Sequence, residues 1–399
     1  MVVVVQMIGG ATAGAGTISG EVTAAKAHWT PDGSRIVTES TVHTASGDVT
    51  VSQLGGTVDG LTMMSFPSPP TLHAGMMVDL VVHDDVDLVQ QHYNVVDDVR
   101  VTYDPSAEPS GFVRTGPTKD GHYLYWESGC VFVTVDSAGT TAVADDQEFS
   151  VIDASIATWN NDTHTASCSY LQVIEDPKKP VEVGKDNTNV IKFRDTSWCR
   201  PAINGDPMRC YSPAAAGITT ATFVDDATSS RDGAIVDADI EINGVNFAIS
   251  VNGQTNSQQP CHAELQNTMT HELGHLHGLE HTCLAAGDPP RVDNNGNPVP
   301  SCSGNTDPAI VNATMYNFQD CGETKKETLD PDDENAICVI YPVAKDPMTC
   351  ARVGSGSGCC DAGGDPRGAA IMTGIIGLLL RRTRTRARTR SRRAASPTL

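Results

Sequence analysis

The first 129 residues of this 399-residue chain contain no cysteine, and the twelve cysteines that follow form no CxxC pair. That absence excludes a zinc ribbon built on paired thiolates. No GxGxxG or GxxxxGK glycine signature is present, which removes dinucleotide and P-loop nucleotide binding. Hydrophobic residues make up 39 % and charged residues 19 %, a balance that fits neither a coiled coil, a collagen nor a multi-span membrane protein. The apolar run Ala369 to Leu380 would span about 18 Å as a helix, well short of the roughly 30 Å hydrocarbon core, so a permanent anchor is not expected there. Basic residues are few outside one tail. Arg381 to Arg393 holds eight arginines, and removing them leaves 19 basic groups against 49 acidic ones, a net charge of −30. Such a body repels phosphate backbones, so no nucleic-acid partner is expected.

Ten cysteines are dispersed from Cys130 to Cys350, and Cys359 and Cys360 are adjacent. Dispersed cysteines in one region read as up to five disulfides in a protein that is secreted or held at the outer cell surface, in an oxidising environment. Residues 1–16, with the apolar stretch Val2 to Val5 and the small residues Ala11-Thr12-Ala13, read as a truncated signal segment.

Alternating and apolar stretches at Arg35 to Val42, Asp48 to Leu54 and Met77 to Val82 predict a small all-β N-terminal domain over 17–105, a sandwich or barrel. His83, Asp84, Asp85 and Asp87 read as a solvated acidic turn. Residues 106–117 read as a linker. Strands at Cys130 to Val135 and Asn189 to Phe193, and a helix over Asp145 to Trp159 with Asp145 and Glu148 as a capping pair, open an α+β domain over 118–345. Ile235 to Val251 reads as a hairpin turning at Asn243-Gly244, with Ala238, Ile240 and Ile242 on one face and Asp237, Asp239 and Glu241 on the other. Residues 346–368 form a Gly/Ser/Cys linker, and 369–399 a short hydrophobic segment followed by the arginine-rich tail.

The chemistry is concentrated in His271-Glu272-Leu273-Gly274-His275-Leu276-His277-Gly278-Leu279-Glu280-His281. On a helix, His271 and His275 differ by about 40° of rotation and can grip one ion. Glu272 lies about 100° away, near enough to hold a water without being a ligand. Gly278 can take φ > 0, ending the helix and returning His281 as a third ligand. Three neutral imidazoles leave a zinc coordination position open for water, the arrangement of a catalytic site. His277 faces away from the other rings and reads as a surface residue.

This segment resembles the extended zinc motif of the metzincin metallopeptidases, and a matrixin-like likeness runs over about Tyr123 to Pro342. The resemblance implies a zincin-like (metzincin) catalytic domain with Zn2+ on His271, His275 and His281, Glu272 as general base, and a methionine turn at Ala313-Thr314-Met315-Tyr316. Thr282 corresponds to the serine that follows the third histidine in matrixins, while Asn317 and Gln319 replace the proline and tyrosine usual after the turn. Trp159 corresponds to the first-helix tryptophan. Val236 to Asn243 corresponds to the edge strand that pairs, antiparallel, with an extended polypeptide substrate. Leu329 to Tyr341 corresponds to the closing helix, with Asp330 as its cap. The family's cysteine-switch latency has no thiol available before Cys130.

The order of Gly-Cys, short apolar segment and arginines resembles the C-terminal sorting tails of myxobacterial surface proteins, which implies transient contact with a membrane or sorting machinery. Asp237 and Asp239, and the loop Asp293 to Asn297, offer oxygen ligands for a structural Ca2+. The reading is a monomeric, exported zinc endopeptidase. The alternative is a non-hydrolytic surface adhesin on a metzincin scaffold.

Overall fold

The computed structural model describes residues 15–66, 72–83, 88–89, 111–162, 165–202, 208–251 and 262–354. Residues 1–14 of the expected signal segment, the expected acidic turn at 84–87, the linker from 355 and the expected sorting tail over 369–399 lie outside these residues.

Seven strands come first: β1 (Ala15–Trp29), β2 (Ile36–Thr44), β3 (Gly47–Leu54), β4 (Gly56–Val58), β5 (Leu61–Phe66), β6 (Met77–His83) and β7 (Leu88–Val89). β1, β2, β3, β7 and β6 close a barrel in that order. Its interior holds Val22, Val42, Val51, Leu72, Met76, Val78 and Leu80. Apolar residues alternate with Thr, Ser, Glu and Asp along these strands, so one face fills the barrel while the other meets water.

β4 and β5 do not belong to the barrel. The chain turns out of it at Gly55 and Gly56, with φ of 105° and 126°, values that favour glycine. A Cβ on Gly56 would sit 2.4 Å from Thr38 Oγ1, so the close approach to β2 also requires glycine. The hairpin β4–β5 then enters the large sheet of the following half. The expected self-contained domain over 17–105 is thus a barrel plus an exported hairpin. The pairing that draws the hairpin away is non-local and leaves no mark in the alternation.

The remaining elements are β8 (Val113–Arg114), β9 (Cys130–Asp136), α1 (Gln147–Asn161), α2 (Thr165–Cys168), β10 (Gln172–Lys179), β11 (Asn189–Arg194), β12 (Cys199–Arg200), β13 (Arg209–Cys210), β14 (Gly217–Val224), β15 (Ile235–Asn243), β16 (Ala248–Ser250), β17 (His262–Glu264), α3 (Leu265–Leu276), β18 (Leu279–Glu280), α4 (Pro308–Val311) and α5 (Pro331–Ile340). The large sheet runs β10-β9-β11-β15-β14-β5-β4. β10, β9, β11 and β15 run parallel to one another, while β14 is antiparallel to both β15 and β5. Ile152, Ile156 and Trp159 of α1 and Met269, Leu273 and Leu276 of α3 bury against Val133, Val135, Ile191 and Ile240 of the sheet. The result is a mixed α and β half, mostly sheet, preceded by a strand-rich region.

β15 differs from the expected amphipathic hairpin arm. All nine of its residues are buried, and it is followed by β16, which pairs with β17. Its acids Asp237, Asp239 and Glu241 are all buried. Glu241, with no exposed surface, accepts hydrogen bonds from Arg194 Nε at 2.7 Å, Arg200 Nε at 2.8 Å and Tyr211 Oη at 2.6 Å. Burial would raise its pKa, but the Arg200 and Arg194 guanidiniums hold it down to about 2. The strand at the edge of the C-terminal half's own sheet is β14, not Val236 to Asn243.

Other expectations shift locally. Residues 111–117 are not a linker: Phe112 and Val113 are buried, and β8 pairs with β18. The compact unit runs to Val353 rather than 345, with Gly129 donating to Thr349 O at 2.8 Å and Arg352 paired with Asp176. Neither predicted cap forms through its side chain at Asp330 or Asp145. Glu148 turns inward instead and accepts from the Thr140 N–H at 3.1 Å.

Among the described residues four disulfides are formed in this half: Cys130–Cys350, Cys168–Cys338, Cys199–Cys210 and Cys283–Cys302. Cys321 is disulfide-bonded as well. Such a framework belongs to an oxidising environment. Among the described residues no helix is long and apolar enough to cross a membrane.

Candidate active site

α3 carries His271, Glu272 and His275 on consecutive turns. Its start is fixed by Glu264, whose carboxylate accepts the Asn267 N–H at 2.6 Å. The helix ends at His277, and Gly278 follows at φ 91°, in the left-handed region that a side chain would strain. A Cβ there would also press on Leu124 O at 3.1 Å. This reversal feeds β18, which pairs with β8 and delivers His281 back toward the helix.

The three histidines converge, with ligand atoms all within 4.8 Å of one another and Nε2 of His275 and His281 3.2 Å apart. Nδ1–H of His271 donates to Thr314 O at 2.6 Å, and Nδ1–H of His275 to Leu279 O at 2.8 Å. A carbonyl can only accept, so each of these rings carries its proton on Nδ1 and offers a lone pair at Nε2. Burial pushes the pKa values of all three imidazoles down, which keeps the rings neutral. Neutral nitrogen donors in a buried cluster of this size fit a zinc ion.

Glu272 is 4 % exposed and points to β14. Thr219 Oγ1 donates to its Oε2 at 2.6 Å. Opposite, Gly217 leaves room for the carboxylate, since a Cβ there would fall 2.7 Å from Oε1. Burial raises the Glu272 pKa to about 8, opposed by the Thr219 hydrogen bond and the Lys326 ammonium.

Beneath the cluster, Ala313 to Tyr316 form a turn closed by Tyr316 N–H to Ala313 O at 3.1 Å. Met315 is buried, and Gly274 of α3 lies so close that a Cβ would come within 2.2 Å of its sulfur. The turn is tied from both sides: Thr282 N–H donates to Met315 O at 3.1 Å, and Thr314 N–H to Asp333 of α5 at 3.2 Å. Tyr316 is only partly buried, against Phe318 and the ammoniums of Lys325 and Lys326. Gln319 accepts from Asn267 Nδ2 at 2.8 Å, and Lys326 Nζ from within donates to Tyr316 O at 2.5 Å, so the loop after the turn is moored to α3.

His277 corrects one expectation. It faces away from the cluster but is buried, its ring stacked on Trp159 at 4.7 Å and its Nδ1–H donated to Leu273 O at 2.6 Å. Burial lowers its pKa to about 4. A helix that packs on both faces leaves no surface for it.

Of the carboxylates expected to offer calcium ligands, Asp239 and Asp293 are engaged by backbone N–H groups, while Asp237 Oδ1 is buried with no hydrogen-bond partner among the described residues. Asp239 accepts N–H groups of Gly184 and Val190, and Asp293 accepts those of Gly111, Asn295 and Asn297. Among the described residues one further group, Asp120, His122 and Asp232, brings ligand atoms together. There Asp232 is committed to Thr118 and His122. Three residues at the site were invisible to sequence reasoning: Thr219, Lys326 and Phe66, the last stacked on His275 at 4.7 Å. Each arrives from a distant segment with no motif around it.

The sequence matches no protein-family profile and no curated protein.

Proposed function

We propose that this chain is a zinc-dependent endopeptidase of metzincin, matrixin-like type, with a zincin-like catalytic half, exported to the cell exterior or surface. The observation that carries the reading is the convergence of His271, His275 and His281 beside the carboxylate of Glu272. His271, His275 and His281 would hold a zinc ion, which would supply Lewis acidity to a water molecule and a scissile carbonyl. Glu272 accepts the proton of the attacking water and returns it to the leaving amine. Thr219 holds the Glu272 carboxylate in one orientation, and the Nδ1–H bonds to Thr314 and Leu279 hold the two helical rings. The turn at Met315 gives those rings a rigid floor. A polypeptide substrate is favoured because β14, beside Glu272, accepts an added antiparallel strand on its outer edge, as its ladder with β5 illustrates.

The test uses the full chain purified oxidatively, with zinc content measured beside cleavage of an unfolded protein, before and after limited proteolysis. The expected result is one zinc in the parent and in Glu272→Ala, with all cleavage lost in that variant. Equal cleavage by both would remove Glu272 from the mechanism. A second reading, the non-hydrolytic adhesin, draws on one observation: His271, Glu272, His275 and His281 are all buried. Full zinc with no cleavage under either condition would favour it.

A further inference from the structure

The burial of the site has a specific agent. β5 lies along the outer edge of β14 in an antiparallel ladder from Leu61 opposite Val224 to Phe66 opposite Thr219. Thr219 is the residue that holds Glu272, so the ladder ends beside the catalytic carboxylate. Phe66 has no exposed surface, and its ring lies nearly parallel to that of His275, 10° between planes. Met64, two residues back on the same face, packs against the main core. An endopeptidase working on a polymer cannot operate with its ligands and base sealed in this way.

Resting on the peptidase reading, we propose that β5 is an internal pseudosubstrate: the N-terminal region occupies the peptide-binding edge of β14, and Phe66 closes the metal site until the strand is displaced. Three features suit a removable occupant. The ladder is only six residues long, and it includes the polar pair Ser65 Oγ to Thr220 Oγ1 at 3.0 Å. The hairpin partner β4 is only three residues long. No disulfide holds this region, because the first cysteine is Cys130. The same absence requires a latency that uses no thiol. Here the block is made of backbone pairing and an aromatic ring. Displacing β5 leaves β14 with a free row of N–H and C=O groups, which an extended peptide can take up.

The experiment compares the zinc-loaded full chain with Phe66→Ala and Met64→Pro. Gly60 O accepts the Asp225 N–H, which makes every second pair along the ladder, Ala221–Met64 included, a hydrogen-bonded one, so proline at 64 deletes a ladder donor. Three readouts are taken: zinc withdrawal by dipicolinate, amide exchange over Gly217–Val224, and cleavage of an unfolded protein. Phe66→Ala, the gentler change, keeps the test alive if Met64→Pro fails to fold. The expected result is withdrawal and cleavage each at least tenfold faster than in the parent, with exchange accelerated in β14. Unchanged withdrawal and exchange overturn the proposal. Cleavage by the parent as fast as by the variants overturns inhibition while leaving the peptidase reading in place. Faster withdrawal and exchange with no cleavage by any variant uphold the covering role of β5 and overturn the peptidase reading instead.

Discussion

The N-terminal barrel is filled by a cluster of seven buried hydrophobic side chains and has no disulfide, whereas the half that carries the histidines combines a 28-residue apolar cluster with at least four disulfides among the described residues. Size alone does not explain the difference. The second half also buries what folding ordinarily avoids: three imidazoles, the Glu272 carboxyl, and Glu241 between Arg194 and Arg200. Each such group costs free energy unless it is fully partnered. Cross-links that limit the unfolded chain offset that cost. The barrel has no cross-links and meets the second half through hydrogen bonds such as Arg35 Nη2 to Pro201 O at 3.0 Å and Arg209 Nη1 to Ser52 Oγ at 2.9 Å.

The largest expected effect tests whether the halves are separable. Replacing Cys168 and Cys338 together by serine opens a link across 170 residues of sequence and should cost roughly 5 kcal/mol of stability in the histidine-bearing half. Scanning calorimetry should show that transition fall while a barrel transition stays put. One transition that moves as a whole would break the comparison.

Next comes the buried acid. Glu241 has a folded pKa of about 2 against an ordinary 4.5. The stability it contributes is therefore complete above pH 4.5 and is lost as pH falls from there through about 2. Glu241→Gln should cost roughly 3 kcal/mol at neutral pH, with the gap to the parent shrinking over that acid window. Denaturant titrations at several pH values check both. A gap that is constant with pH would assign the loss to packing instead.

A barrel lesion should be smaller and local. Leu80→Ala, at a fully buried position, should cost about 2–3 kcal/mol in the barrel and leave the zinc content at one per chain. Loss of zinc in that variant would show that the two halves are energetically one. The smallest effect belongs to the exposed pair His43 and Asp48, whose side chains are each 64 % accessible. His43→Ala should change stability by less than about 0.5 kcal/mol, which thermal melts can bound.

What the sequence disclosed was local in origin. The spacing of His271, His275 and His281, the glycine that turns between them and the Ala313 to Tyr316 turn depend on neighbours within a few residues. The barrel strands were equally readable, because one of their faces meets water and alternation follows. β14 escaped notice for the opposite reason. Its Gly-Ile-Thr-Thr-Ala-Thr-Phe-Val is buried on both faces and carries no alternation. β15 mimics a solvent-facing strand because its acids alternate, although Arg194, Arg200 and Tyr211 arrive from elsewhere to bond the buried Glu241. The ladder between β5 and β14 joins segments about 155 residues apart, and no periodicity within either strand announces it.

The two widest cross-links also impose an order on assembly. Cys130 waits 220 residues for Cys350, and Cys168 waits 170 for Cys338, while Cys199–Cys210 and Cys283–Cys302 span only 11 and 19. An oxidant meeting the polypeptide as it emerges finds the short pairs complete first. The thiols at 130 and 168 stay open until nearly the last stretch of the half has been made, so its covalent closure is a late event that follows synthesis rather than accompanying it.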